Sequence, residues 1–215
     1  TALIYYWGDI VKLAIVTACS QDWVPMACAT LLSCARNRVT AAENFIVAPQ
    51  GTKAHCINLI ETTAALAGEP VNVLEFDRQI ISDLHYGIFQ EANVYRLMMD
   101  KLIDLEFDRV LYLDSDVLIV NSIDALLTCD FRNCLAAAAA DCGALPGFIS
   151  ADSARRRAAI GFTRNQLYFN SGVMLFPWRE AVAADVFGRA RDLLANHNFE
   201  MADQDAGDAP FFEEG

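Results

Sequence analysis

Apolar and polar positions alternate in blocks along the chain. Short apolar runs are followed by longer stretches whose apolar positions recur at three and four, which predicts strands and helices in turn. Ile10–Val16 is apolar apart from Lys12 and reads as a first, central strand. Behind it Thr17-Ala18-Cys19-Ser20 forms a small-residue loop that lets a ligand approach. Asp22 is a candidate N-cap and Pro25 suits a first helical turn, so Met26–Ala35 reads as a mostly buried helix. Asn44–Ala48 is a second strand, Gly51 a break, Thr52–Leu66 a second helix, and Val71–Glu75 a third strand after Gly68 and Pro70. In Gln90–Leu105 the apolar positions Val94, Leu97, Met98, Leu102 and Leu105 form one helical face. Asn121–Asp124 opens a short helix to Leu127, Leu135–Ala140 is a run of small apolar residues, and Trp178–Asn196 reads as one long amphipathic helix. Strands that alternate with helices in this way imply an α/β fold around a largely parallel sheet.

The stretch that stands out is Arg109–Leu113, a short buried strand, followed at once by Asp114-Ser115-Asp116. Uncompensated carboxylates beside such a strand are costly, so something must offset them. At the carboxyl end of a strand, where open α/β sheets bind ligands, Asp114 and Asp116 are candidate ligands of a divalent cation, pointing the same way in extended chain. Asn170 and Ser171 interrupt the apolar strand Tyr168–Phe176, and a strand amide in that setting needs a partner. Arg96 has no obvious partner nearby in sequence. By themselves Asp203 and Asp205 read as capping or loop residues, and Arg155-Arg156-Arg157 reads as a solvated face.

At 215 residues the chain is long enough for a full hydrophobic core in one domain. Its formal net charge of -12 argues against a nucleic-acid backbone as partner but is compatible with a metal-bridged nucleotide. No apolar stretch reaches the roughly 18 residues of a membrane span. The seven cysteines form no CxxC pair and read as free, buried thiols of a reducing compartment. That reading, with no basic leader before the apolar Thr1–Trp7, places the protein in the cytoplasm.

Taken together, Val16-Thr17-Ala18, Asp22-Trp23-Val24-Pro25, Tyr95-Arg96-Leu97, Val110–Asp116, Tyr168–Val173 and Asp203-Gln204-Asp205 resemble, in order and spacing, the retaining glycosyltransferases of family 8. Bacterial lipopolysaccharide galactosyl- and glucosyltransferases and glycogenin belong to that family. The resemblance spans about residues 12–206. It implies a GT-A fold, a Rossmann-like, mostly parallel central sheet flanked by helices, with 1–215 as a single domain. It also implies a UDP-hexose donor, glucose or galactose, and a saccharide or other hydroxyl acceptor. Asp114 and Asp116 would ligate Mn²⁺ (or Mg²⁺), while Leu113 and Ser115 would touch the nucleotide. Thr17, Ala18, Ser20 and Asp22 would line the uracil and ribose pocket, and Arg96 would reach the donor. Asp141, Asn170 and Ser171 would meet the transferred sugar, and Asp203 and Gln204 would sit beside the anomeric carbon. Gln204 is a poor nucleophile, so the resemblance implies front-face attack.

Two positions depart from the family pattern. Ser20 stands where the family carries an Asp, and offers only a shorter, neutral contact. After Asp205 nothing resembles the His-x-x-Gly-x-x-Lys-Pro-Trp segment that supplies a third metal ligand. With that C-terminal segment missing from these residues, a peripheral association with the inner face of a membrane through it stays open. The competing readings are a catalytically degenerate nucleotide-sugar-binding homologue and, with less support, a haloacid-dehalogenase-like phosphatase, whose nucleophile is also an Asp-x-Asp after an apolar strand.

Overall fold

The computed structural model describes residues 11–84, 91–141, 155, 158 and 169–196. Leu13–Ala18 forms β1, every residue of it buried, as its unbroken aliphatic run requires of a central strand. A 3₁₀ turn at Gln21–Trp23 leads into α1 (Val24–Arg36), then β2 (Glu43–Pro49), α2 (Thr52–Ala67) and β3 (Val71–Phe76). After 3₁₀ turns at Arg78–Ile81 and Glu91–Met98 come α3 (Met99–Leu102), β4 (Arg109–Leu113) and α4 (Asp124–Leu127). The remaining elements are β5 (Ala137–Ala140), β6 (Phe169–Pro177), α5 (Trp178–Ala183) and α6 (Val186–Asn196).

The six strands lie in one sheet in the order β3-β2-β1-β4-β6-β5. β3, β2, β1 and β4 are mutually parallel, whereas β6 runs antiparallel to both β4 and β5. The expected mostly parallel sheet is therefore observed, with an antiparallel strand inserted beside β4. Along β1 the side chains alternate. Leu13 and Ile15 join Val24, Ala27, Leu31 and Cys34 of α1, while Ala14, Val16 and Ala18 join Val94–Met99, Trp178 and Phe187 on the opposite face. Both faces are covered, which is why the strands read as continuous hydrophobic runs.

Several boundaries differ from the sequence reading. β1 extends through Thr17 and Ala18, which were expected in a loop. Asp22 lies in the 3₁₀ turn, and Trp23 rather than Asp22 precedes α1, with Pro25 in its first turn as expected. The helix anticipated from Gln90 to Leu105 is mostly 3₁₀, only Met99–Leu102 is α-helical, and Leu105 is 56% exposed. The long C-terminal helix is two helices, broken at Asp185, whose φ of 54° is left-handed. Asp114 and Asp116 are not on extended chain, because Val117 donates its N–H to the Asp114 carbonyl at 3.1 Å and closes a turn. The free thiols divide: Cys19, Cys28 and Cys34 are buried, Cys56 and Cys129 half-buried, and Cys134 exposed. Cys142 lies outside the described residues.

Candidate active site

In a parallel sheet the strand order reverses where successive connections leave a strand in opposite directions, and a crevice opens beyond the carboxyl ends there. From β1 the chain proceeds outward to β2 and β3, then returns to β4 on the other side, so the switch lies between β1 and β4. A cavity of about 330 Å³ sits at this position. Ala18, Cys19, Ser20 and Trp23 contribute one wall from the end of β1, Tyr112 and Asp114-Ser115-Asp116 another from the end of β4, and Ala92, Asn93 and Arg96 a third.

Arg96 is only 5% exposed, not the solvated helix arginine its sequence neighbours suggest. Its guanidinium pairs with Asp114 Oδ1 at 2.7 Å, donates to the Ser171 carbonyl at 2.7 Å and to the Asn93 carbonyl at 3.2 Å, and lies 4.8 Å above the Tyr112 ring centre. Tyr112 donates its hydroxyl to the same Asp114 Oδ1 at 2.8 Å. Two donors therefore hold one oxygen of Asp114. The other, Oδ2, lies against Gly172, where an added Cβ would come within 2.8 Å of it. The absent side chain leaves this oxygen room. The Asp114 N–H bonds the Gly172 carbonyl at 2.8 Å, and Gly172 N–H bonds Asn170 Oδ1 at 2.9 Å, so β6 fixes the start of the aspartate turn.

Of the residues expected at the site, Ala18, Ser20, Arg96, Asp114, Ser115 and Asp116 line the cavity together. Thr17 does not: it shares the face of Leu13 and Ile15, is fully buried, and its hydroxyl has no hydrogen-bond partner among the described residues. Leu113 is fully buried and Asp22 is exposed, and neither is among the residues that line the cavity. Ser171 enters through its backbone, as the acceptor for Arg96. Asn170 is exposed, and its side-chain oxygen accepts from the Gly172 N–H, two residues along its own strand. Asp141 follows the last residue of β5, which pairs with Phe169, so Asp141 and Asn170 lie at the same end of the sheet as Asp114. Asp203 and Gln204 lie outside the described residues. The sequence reading missed Tyr112, Trp23, Ala92 and Asn93 as lining residues. The period of two in β4, which places Tyr112 on the side of Asp114, was the available signal for the first of these.

Two carboxylates with hard oxygen donors, one kept open by Gly172, suit a divalent cation. Among the described residues no third His, Cys, Asp or Glu joins them. The cysteine on the cavity wall offers no thiolate at neutral pH, since burial pushes the Cys19 thiol up to about 12.

A doubly covered, mostly parallel sheet with a pocket at its switch point defines an α/β class whose members bind ligands beyond the carboxyl ends of their strands. The family model described as "Glycosyl transferase family 8" matches residues 14–214, and the chain belongs to that family. No curated protein sequence matches it. Among solved structures it is similar to the galactosyltransferase LgtC, determined with donor and acceptor sugar analogues, at 21% identity and a TM-score of 0.77 over 92% of this chain and 70% of that one. It is also similar to the bifunctional glycosyltransferase WbbM in its apo form, at 18% identity and a TM-score of 0.76 over 97% of this chain and 39% of that one. A third similar structure is the glycosyltransferase GlyE of Streptococcus pneumoniae, at 19% identity and a TM-score of 0.64 over 94% and 44%. At these identities the likeness is one of fold, and the fold is the GT-A fold. The protein is a glycosyltransferase-family chain, which removes the phosphatase alternative. Among the described residues no helix is long and apolar enough to cross a membrane.

Proposed function

We propose that the chain transfers a hexose, glucose or galactose, from a UDP-sugar to a hydroxyl of a saccharide acceptor with retention of configuration. The observation that carries this reading is the convergence of Asp114, Asp116 and the buried Arg96 on one cavity at the β1–β4 switch point. Asp114 and Asp116 would hold Mn²⁺ or Mg²⁺, which when bound supplies Lewis-acid neutralisation of the leaving diphosphate. Arg96, anchored by four contacts, is a fixed cation that needs no reorganisation as charge develops on the donor. Trp23, 42% exposed on the cavity wall, offers an indole face to a planar base, and Ser20 a neutral hydroxyl beside it.

Asp141 and Asn170 would contact the transferred sugar, and Asp203 and Gln204 would flank its anomeric carbon. With an amide rather than a carboxylate beside that carbon, attack from the leaving-group face is favoured. The departing phosphate oxygen can then accept the proton of the acceptor hydroxyl, and the protein's own work is to position and to screen charge. A bacterial lipopolysaccharide or related glycan is the acceptor class suggested by the resemblance.

Calorimetric titration of UDP, with Mn²⁺ and then with a chelator, tests the donor site. Release of UDP from UDP-glucose or UDP-galactose tests turnover. Metal-dependent binding with turnover is the expected result. Binding without turnover would establish instead the non-catalytic nucleotide-sugar-binding homologue. No binding of UDP under either condition would overturn both.

A further inference from the structure

We propose that Thr30 is a positioning residue for the paired aspartates, fixing the peptide between them; the inference rests on the cation-and-nucleotide reading of the cavity. Thr30 lies in the middle of α1, is 1% exposed, and donates its hydroxyl to the Ser115 carbonyl at 2.9 Å across 85 residues of chain. A threonine inside a helix usually bonds back to a carbonyl of its own helix. Thr62 and Thr63 of α2 do so, reaching Asn58 and Leu59 at 2.7 and 2.8 Å. Thr30 spends its only donor on the aspartate turn instead.

The carbonyl it holds is a decisive one. Asp114 to Val117 is a β-turn closed by the Val117 N–H, and the Ser115 carbonyl belongs to its central peptide. Rotation of that peptide is what separates a type I turn from a type II turn, and the flipped form demands positive φ at the third residue. That residue is Asp116, and it is not among the residues of positive φ. The two carboxylates are secured differently. Asp114 is held through its side chain by Arg96 and Tyr112, whereas among the described residues no donor reaches the Asp116 carboxylate. The direction of Asp116 is therefore set by its backbone, and Thr30 is the side chain that grips this backbone.

The same face of α1 continues the attachment further along. Ser33 Oγ accepts from the Ile119 N–H at 3.0 Å, and Asn37 donates to the Ile119 carbonyl at 2.9 Å. Those bonds secure the chain beyond the turn. Among the described residues, only the Thr30 side chain bonds the Ser115 carbonyl between the aspartates.

The test compares Thr30→Val, which keeps shape and loses the donor, Thr30→Ser, which keeps the donor, and Ser33→Ala. Mn²⁺ affinity in the presence of UDP is read from the electron paramagnetic resonance of free Mn²⁺. Expected are an affinity about tenfold weaker in Thr30→Val, roughly as for loss of one oriented hydrogen bond, recovery in Thr30→Ser, and a native value in Ser33→Ala despite a lower melting temperature. Thr30→Ala removes the same donor on a better helix former and carries the test if Thr30→Val does not fold. A native Mn²⁺ affinity in the variant lacking the hydroxyl overturns the proposal, as does an equal loss in Ser33→Ala, which would mark a general structural role. If the unaltered chain binds no Mn²⁺ with UDP present, the reading of the cavity fails and the proposal with it.

Discussion

At the scale of single residues, the site depends on which oxygen of which carboxylate is already engaged. Asp114 offers Oδ1 to Tyr112 and Arg96 and keeps Oδ2 beside Gly172. Asp114→Asn preserves volume but removes the charge a cation requires, so Mn²⁺-dependent UDP binding should be lost while the circular dichroism spectrum stays native. Gly172→Ala should act on the same atom from the other side. A Cβ 2.8 Å from Oδ2 and 3.0 Å from Asn170 Oδ1 forces the carboxylate to move, and Mn²⁺ affinity is expected to fall about tenfold, with folding checked by thermal melting. Arg96 shows where local reading stops. Within its own segment it meets only a backbone carbonyl, that of Asn93, whereas the carboxylate of Asp114 and the carbonyl of Ser171 come from the end of β4 and from β6, one of them 75 residues away.

At the scale of elements, short contacts tie the site-bearing segments to the scaffold. The Glu91–Met98 turn that carries Arg96 is held from behind by α6. Arg191 forks onto Asp100 at 2.5 and 2.8 Å and bonds the Leu97 carbonyl, with both side chains mostly buried. Arg191→Met leaves Asp100 with its buried charge unpaired by this arginine, and a loss of about 3 kcal/mol in urea unfolding is expected. The segment after the aspartates is fastened by Asp124. Hydrogen bonds from Ser122, then Thr40 and the N–H groups of Val39 and Thr40, hold its carboxyl down at about 2. A depressed carboxyl stabilises above its unfolded value of 3.8, and the stabilisation disappears as pH falls through the folded one. The melting-temperature gap between the native chain and Asp124→Asn should therefore be constant above about pH 5 and close between pH 4 and 2.

At the scale of the whole molecule, the sheet order decides what meets what. β1 and β4 are adjacent although more than 90 residues separate Ala18 from Asp114, and their carboxyl ends supply two cavity walls. Ligands that bind there should stabilise the fold through that junction. UDP and Mn²⁺ together, at a hundred times the dissociation constant, should add about 2.7 kcal/mol. A thermal shift seen only with both present is the expected outcome, and protection from hydrogen exchange should concentrate at the ends of β1 and β4.

The strands, the paired aspartates and the order of the motifs were legible in the sequence, because each rests on local pattern: aliphatic runs for β1 to β4, and charge set directly behind a buried strand. Even the bounds of β4, Arg109–Leu113, follow from that contrast. The antiparallel insertion of β6, the 3₁₀ form of the Arg96 segment and the break at Asp185 were not legible, since each is decided by packing against elements far along the chain. The same holds for the roles of Thr30, Tyr112 and Gly172. A hydroxyl in a helix, a ring in a strand and a missing Cβ acquire meaning only when folding sets them within about 3 Å of one carbonyl or one carboxylate.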